Sequence, residues 1–232
     1  MSSRSRARLL MVGTSLVISS PAWAHVGINN VGYADTTQVI QFGVGHGCEG
    51  ADSTRIEVSI PPEITTLRPL PSAWGEAQLV SDETGIVTSV VWTKTTTARS
   101  ADDQYYEFAI RLGVPDAPFT TLYLPTSQTC RAADGTEIVT NWAELPGAET
   151  PGDDHGEPAP ALHILPTHGK GWNKYTTPVA LTDLSVFDDA EIVWVGDAAY
   201  SGNPTTAELI ASEEGVTPLT EISADADIWV KY

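Results

Sequence analysis

The chain has 232 residues, with 30 acidic and 12 basic side chains and a formal net charge of −18 at neutral pH. A surface this acidic repels nucleic acid and anionic lipid, so the composition argues against both as partners. No stretch of sequence approaches the roughly 20 apolar residues that span a bilayer.

An export signal is predicted over residues 1–24. Three arginines precede the apolar run Leu9–Ile18, and Ala22–Ala24 has the A-x-A form of a cleavage site. Removing these 24 residues leaves a mature chain of 208, and the three lost arginines take the net charge from −18 to −21. We therefore expect a periplasmic or secreted protein with no membrane insertion after cleavage.

Cleavage after residue 24 makes His25 the first residue of the mature protein. An N-terminal histidine can bind one metal ion through both its α-amino nitrogen and its ring Nδ1. Nitrogen ligands of this kind suit Cu(II) best among the common divalent metals. A histidine can also come first by chance, so a metal site requires further ligands from the folded domain.

Residues 25–145 read as short strands separated by turn residues. Alternation of apolar and polar side chains with frequent Gly and Pro predicts an antiparallel β-sandwich, of the immunoglobulin-like or cupredoxin-like kind, and no helical period occurs here. The candidate strands are Val39–Val44, Arg55–Ile60, Ile86–Trp92, Tyr105–Leu112, Thr121–Leu124 and Glu137–Trp142.

The chain has two cysteines, Cys48 and Cys130. An even count in an exported protein favours a disulfide, because a free thiolate is oxidised outside the cytosol. The competing interpretation is a Cys/His copper site that uses Cys48 beside His46.

Residues 146–164 are predicted to form an exposed linker, since their first part is rich in Gly, Pro and acidic residues. Residues 165–232 are predicted to form a small α+β module of unknown role. Its helix begins at Asn203 as N-cap with Pro204 at the first helical position, and Gly215 follows as the stop signal.

Three residues of the sandwich could take part in metal chemistry. Glu107 shares a strand face with Arg111, so it is either a carboxylate ligand or an exposed acid paired with that arginine. Trp142 is either a core aromatic or an indole lying over a metal. His46, between two glycines after a strand, is either a ligand or a turn histidine.

The catalytic motifs of common enzyme classes do not occur. The sequence contains no G-x-S-x-G elbow, H-E-x-x-H pair, P-loop or dinucleotide fingerprint. No catalytic residue is therefore assigned, and an enzyme is the less favoured interpretation.

Several motifs in consistent order resemble the YcnI-like copper-binding domains. The first is Val44–Gly50, read V-G-H-G-C-E-G, where the family has proline at position 45. The mature start His25-Val26 also matches the family. The remaining matches are Ile56–Pro61, Pro69–Trp74, Asp103–Phe108, Leu122–Pro125 with Thr129-Cys130, Trp142–Glu144 and Glu157–Pro160.

The resemblance implies an exported β-sandwich that holds Cu(II) through a single-histidine brace. His25 would supply its amine and Nδ1, Glu107 the carboxylate, and Trp142 the nearby indole. Apart from the resemblance, His46 is a candidate either for a further ligand or for a residue that contacts one. We expect a role in copper handling or delivery, with a membrane copper transporter or another copper protein as partner.

Two alternatives remain open from the sequence. A histidine brace also occurs in copper monooxygenases, which place two histidines around the metal, so His46 would have to be the second. The other alternative is a cell-surface interaction domain in which the N-terminal histidine is incidental.

Overall fold

The computed structural model describes residues 25–95, 104–147 and 157–232. The predicted export signal and residues 148–156 of the predicted linker lie outside these ranges. Among the described residues up to 165, the strands in chain order are β1 (Val26–Ile28), β2 (Gly32–Tyr33), β3 (Thr37–Val44), β4 (Asp52–Ser59), β5 (Leu67–Pro69), β6 (Gln78–Ser81), β7 (Val87–Thr93), β8 (Tyr106–Gly113), β9 (Thr120–Tyr123), β10 (Thr126–Arg131), β11 (Glu137–Trp142) and β12 (Ala161–Leu165).

Two antiparallel sheets face each other across the main core. One has the order β1-β3-β8-β5 and the other the order β11-β10-β4-β7-β6. The predicted antiparallel β-sandwich is therefore confirmed. Its open edges are formed by β1 and β11 on one side and by β5 and β6 on the other.

Alternating side chains build this core as the sequence predicts. In β3 the even-numbered residues Ile40, Phe42 and Val44 are buried, and in β8 the buried ones are again even-numbered, from Phe108 to Leu112. Because successive side chains of a strand point to opposite faces, each strand presents one apolar face inward. The facing sheet contributes the buried residues Ile56, Val58, Val90, Trp92 and Trp142.

A third sheet of order β2-β12-β9 closes the sandwich at one end. Leu162 and Ile164 of β12 are buried in the main core, and the strand pairs antiparallel with β9 and parallel with β2. All but the last residue of β12 thus falls in residues 146–164, for which the sequence predicts a linker. The described end of that segment belongs to the sheet structure of the first domain.

Cys48 and Cys130 form the predicted disulfide, which joins residues 82 positions apart. Cys130 lies in β10, whereas Cys48 begins a single turn of 3₁₀ helix, Cys48–Gly50. In the chain-entropy model a cross-link over a loop of this length contributes about 4 kcal/mol to stability. The disulfide anchors the His46-containing loop to the five-stranded sheet.

Residues after 165 form the predicted α+β module. Its sheet has the order β13 (Trp172–Thr176), β17 (Asp227–Lys231), β14 (Ile192–Val195), β15 (Ala198–Tyr200), β16 (Thr217–Pro218), and one helix, α1 (Pro204–Ser212), follows β15. The Asn203 side chain accepts hydrogen bonds from the backbone N–H groups of Thr205 and Thr206, which fixes the start of the helix.

The module packs on the first domain through aromatic side chains. Phe119, which precedes β9, joins the core of the module and lies 5.6 Å, between ring centroids, from both Tyr175 and Phe187. His168 of the module lies edge to face against Tyr33 of β2, with their ring centroids 6.4 Å apart. Within the described residues, no helix has the length and apolar character needed to cross a membrane.

Candidate functional site

His25 lies beside the indole of Trp142 at the open edge between β1 and β11. The two ring centroids are 5.4 Å apart and the rings meet edge to face, with an interplanar angle of 78°. His25 immediately precedes β1, and Trp142 is the last residue of β11. Each belongs to the edge of a different sheet, so their contact joins the two sheets at this edge.

The position of Trp142 follows from the pairing of β10 and β11. Trp142 lies opposite Thr126, whose side chain is buried, so both face into the sandwich. The indole Nε1 donates a hydrogen bond to Gln128 Oε1 at 3.0 Å. A buried indole N–H requires an acceptor, and Gln128 supplies it.

Gln128 connects Trp142 to the loop that contains His46. Its amide Nε2 donates to the His46 carbonyl oxygen and to Ser53 Oγ, both at 2.9 Å. The orientation of the amide follows from its neighbours, because an indole N–H can only donate and a carbonyl can only accept. Gln128 is 1% exposed and therefore holds Trp142 and the His46 loop together inside the core.

Gln128 is the residue that the sequence analysis missed. No strand was predicted over Thr126–Arg131, although Thr126, Gln128 and Cys130 are spaced by two and all face inward. A glutamine two residues before a disulfide-bonded cysteine on the buried face of a strand is the signal that could have identified it.

His46 is half-buried, and its ring turns toward its own backbone. The Nδ1 atom lies 2.8 Å from the Gly47 carbonyl oxygen. The loop continues through Glu49 with φ 50° and Gly50 with φ 78°, two successive left-handed residues. The structure therefore joins His46 to Trp142 through Gln128, and its role toward a metal stays a prediction.

Glu107 lies on the outer face of the four-stranded sheet. Its register partner on β3 is Gly43, which in turn faces Gly27 on β1. Neighbouring strands are about 4.8 Å apart, so two strand spacings separate Glu107 from β1. The hydroxyl of Tyr105 covers Gly43 and accepts a hydrogen bond from Asn29. The structure places Glu107 across the sheet from His25, and its role as a ligand stays a prediction.

A second carboxylate lies next to Trp142. Glu157 Oε2 accepts a hydrogen bond from the backbone N–H of Asn141 at 3.2 Å, and its carbonyl oxygen accepts from Ala143 and Glu144. These bonds place Glu157 along the free edge of β11. Among the described side chains, no three of His, Cys, Asp or Glu form a group that could hold a metal. The predicted copper site is not a group of this kind, because one of its ligands is the α-amino nitrogen of His25, which belongs to the main chain.

The architecture and this edge define the first part of the chain as a disulfide-linked antiparallel β-sandwich domain. A family model described as "Domain of unknown function (DUF1775)" matches residues 25–164, more than half of the chain, so the protein belongs to this family. The YcnI-like domains suggested by the sequence motifs are this same family. Residue 25, at which the match begins, is the predicted mature N-terminus.

A solved crystal structure of an uncharacterized protein from Nocardia farcinica, described as revealing an immunoglobulin-like fold, is similar to this chain. The two are 26% identical, and the match covers 61% of this chain and 98% of the other with a TM-score of 0.49. No curated protein matches this chain.

Proposed function

We propose that the mature protein binds Cu(II) through the α-amino nitrogen and the Nδ1 of His25 and acts in copper handling or delivery outside the cytoplasm. The observation that supports this most is the contact between His25 and Trp142 at a sandwich edge, with ring centroids 5.4 Å apart. Such a bidentate nitrogen chelate favours Cu(II) over other common divalent ions.

The surroundings of Trp142 support this role for His25. Because Gln128 holds the indole N–H, the aromatic ring has a defined orientation against the imidazole. An indole in this position limits the access of water to one side of the histidine.

Two carboxylates are candidates to complete the ligand set. Glu107 is favoured by the family resemblance, and its side chain reaches the outer face that Gly27 shares. Glu157 is favoured by its position next to Trp142. Carboxylate oxygen is a harder ligand than imidazole, so either one would add less to Cu(II) affinity than the two nitrogens.

Handling of the ion, as opposed to storage in a closed cage, is supported by the location of His25. The residue is only partly buried and lies at the free edges of β1 and β11. A partner protein could approach the residue along these edges, although its Nδ1 atom is itself buried. A membrane copper transporter or another copper protein fits this role.

The free amine provides the sharpest test. An α-amino group has an ordinary pKa near 8 and must lose its proton to bind metal, whereas a peptide nitrogen cannot serve in the same way. We expect the protein that begins at His25 to bind one Cu(II), and the same protein with an added N-terminal Met to lose most of its affinity. Competition titration measures both.

Matched variants assign the carboxylate. Glu107→Gln and Glu157→Gln should each weaken binding less than the Met extension does, and the variant with the larger loss identifies the ligand. If the Met-extended protein binds Cu(II) as tightly as the unextended one, the brace is wrong and another group, such as His46, holds the ion.

A further inference from the structure

Two arginines lie directly opposite each other at the edge between β5 and β6, far along the sheet from His25. Arg68 on β5 is the register partner of Arg111 on β8, and both side chains are exposed. Like charges at directly opposed positions destabilise a sheet. An arrangement that costs stability in a chain with 30 acidic residues and 12 basic ones requires an explanation.

The acidic side chains that the structure describes form no ion pair with these two arginines. Five of the eight described Lys and Arg residues form ion pairs with carboxylates. Within the described ranges, neither Arg68 nor Arg111 has such a partner, and Arg68 makes only a long hydrogen bond, 3.4 Å, to the Leu67 carbonyl oxygen. The five paired residues are Arg55, Lys94, Arg131, Lys174 and Lys231.

Both arginines line a groove of about 640 Å³ between the two sheets. That volume lies within the range of about 300–1,000 Å³ that small-molecule sites occupy. The hydroxyl-bearing residues Thr65 and Thr66 also line it, and none of its described lining residues is acidic. The groove is therefore a positively charged site on an otherwise negative protein.

The opposite wall of the groove is apolar. Leu79 on β6 and Ile86 before β7 line it and are 45% and 62% exposed. The Asp82 carboxylate fixes this turn, since its Oδ1 accepts hydrogen bonds from the backbone N–H groups of Thr84, at 2.8 Å, and Ile86, at 3.0 Å. Large apolar side chains held in the open beside a charged pair indicate a ligand with an anionic and an apolar part.

We propose that this groove binds a small organic anion, with a carboxylate or phosphate group on Arg68 and Arg111 and an apolar portion against Leu79 and Ile86. Guanidinium groups match such oxyanions through paired N–H donors, and one anion between two arginines removes their repulsion. The site is separate from the edge that carries His25, so it does not depend on copper binding.

Amide NMR titration of the purified full protein with hexanoate and with hexyl phosphate tests the proposal. We expect saturable shifts at Leu79 and Ile86 for at least one of these anions and none for hexanol. The anion that binds more tightly identifies the head group. Acetate, which lacks the alkyl chain, should bind more weakly than hexanoate, and equally tight binding of the two would contradict the apolar contact.

Variants separate binding from a structural role. The single variant Arg111→Gln should weaken anion binding about tenfold or more, which is the loss expected for a charged hydrogen-bonding group. The double variant Arg68→Gln/Arg111→Gln should weaken it by at least as much. Arg131→Gln, which removes an arginine paired with Glu137, is the matched control and should bind normally. Absence of saturable shifts, or equal binding by the double variant, would overturn the proposal.

Discussion

At one open edge of the sandwich, between β1 and β11, the polar side chains bond to one another, whereas at the other edge, between β5 and β6, two arginines face a groove. At the first edge Gln128 bonds to Trp142, to Ser53 and to the His46 loop. At the second edge Arg68 and Arg111 have no carboxylate partner within the described residues. The same fold thus presents one edge where Gln128 joins its neighbours by hydrogen bonds and another edge that carries two opposed arginines.

This difference shows how the two edges can serve different chemistry. At the β1–β11 edge a hydrogen bond to Gln128 orients the indole that lies against the His25 imidazole, and the copper proposal rests on this arrangement. The β5–β6 edge combines unneutralised positive charge with exposed apolar side chains, which suits an organic anion. Perturbations should therefore act on one edge and leave the other nearly unchanged.

Loss of the disulfide should have the largest effect. Replacing both Cys48 and Cys130 by Ala should lower the free energy of unfolding by about 4 kcal/mol, measured by urea denaturation. Because the disulfide anchors the His46 loop, the indole NMR signal of Trp142 should shift while the signals of Leu79 and Ile86 stay in place. Equal changes at both edges would contradict the comparison.

The substitution Gln128→Leu should have the second-largest effect on the free energy of unfolding. The substitution leaves the buried Trp142 N–H without its acceptor, which should cost about 1–3 kcal/mol in the free energy of unfolding. The control is Gln128→Leu combined with Trp142→Phe, since removing both partners is less costly than removing one. Denaturation of the four proteins of this cycle gives the coupling, and additive losses would show that the hydrogen bond is not the cause.

The substitution Arg68→Gln should have a small effect on the free energy of unfolding, opposite in sign to those of the two preceding substitutions. It removes a like-charge pair, so the free energy of unfolding should stay the same or rise by a few tenths of a kcal/mol. Arg131→Gln removes an exposed ion pair with Glu137 and should lower it by about 0–1 kcal/mol. Thermal denaturation at low salt compares them, and a clear destabilisation by Arg68→Gln would mean that the arginine is structural.

Acid should produce the smallest and most local change. Hydrogen bonds from the Thr84 side chain and from the Ile86 and Thr84 backbone hold the pKa of Asp82 below its usual value of 3.8. A carboxylate whose pKa is lowered by folding contributes stability above its unfolded pKa and loses it as the pH falls through the folded one. Between pH 5 and pH 2, the amide of Ile86 should therefore lose protection from hydrogen exchange.

Asp82→Asn is the control for this acid effect, because it removes the titrating group. The Trp142 indole should keep its protection over the same range, since its partner Gln128 does not titrate. If both edges lose protection together, the acid effect is global unfolding and not release of the turn.

Much of the fold could be predicted from the sequence, because its signals are local. Alternation located the ends of β3, β4, β7, β8 and β11 to within three residues, and Asn203 with Pro204 marked the start of α1. The shortest strands, such as β1, β2 and β5, were not predicted. Two or three residues are too few for an alternating pattern, so only pairing with a neighbour defines them.

The sequence predicted individual residues of the candidate site but not the contacts between them. The sequence singled out His25 and Trp142 separately, the first from a cleavage signature and the second from its place at the end of a strand. Their contact spans two sheets and depends on which strands form the edges. Gln128 was missed because a glutamine has no preferred role until its neighbours are known.

The sequence by itself determined the class of fold, the helix cap and the family, since each rests on residue types at short spacings or on motifs in order. It favoured the disulfide over a Cys/His copper site, because the exported chain has two cysteines. Only the tertiary structure decided that His25 meets Trp142, that Gln128 joins Trp142 to the His46 loop, and that Arg68 faces Arg111. The physical reason is that strand order and register are set by the burial of many side chains at once, and contacts between distant strands follow from that order.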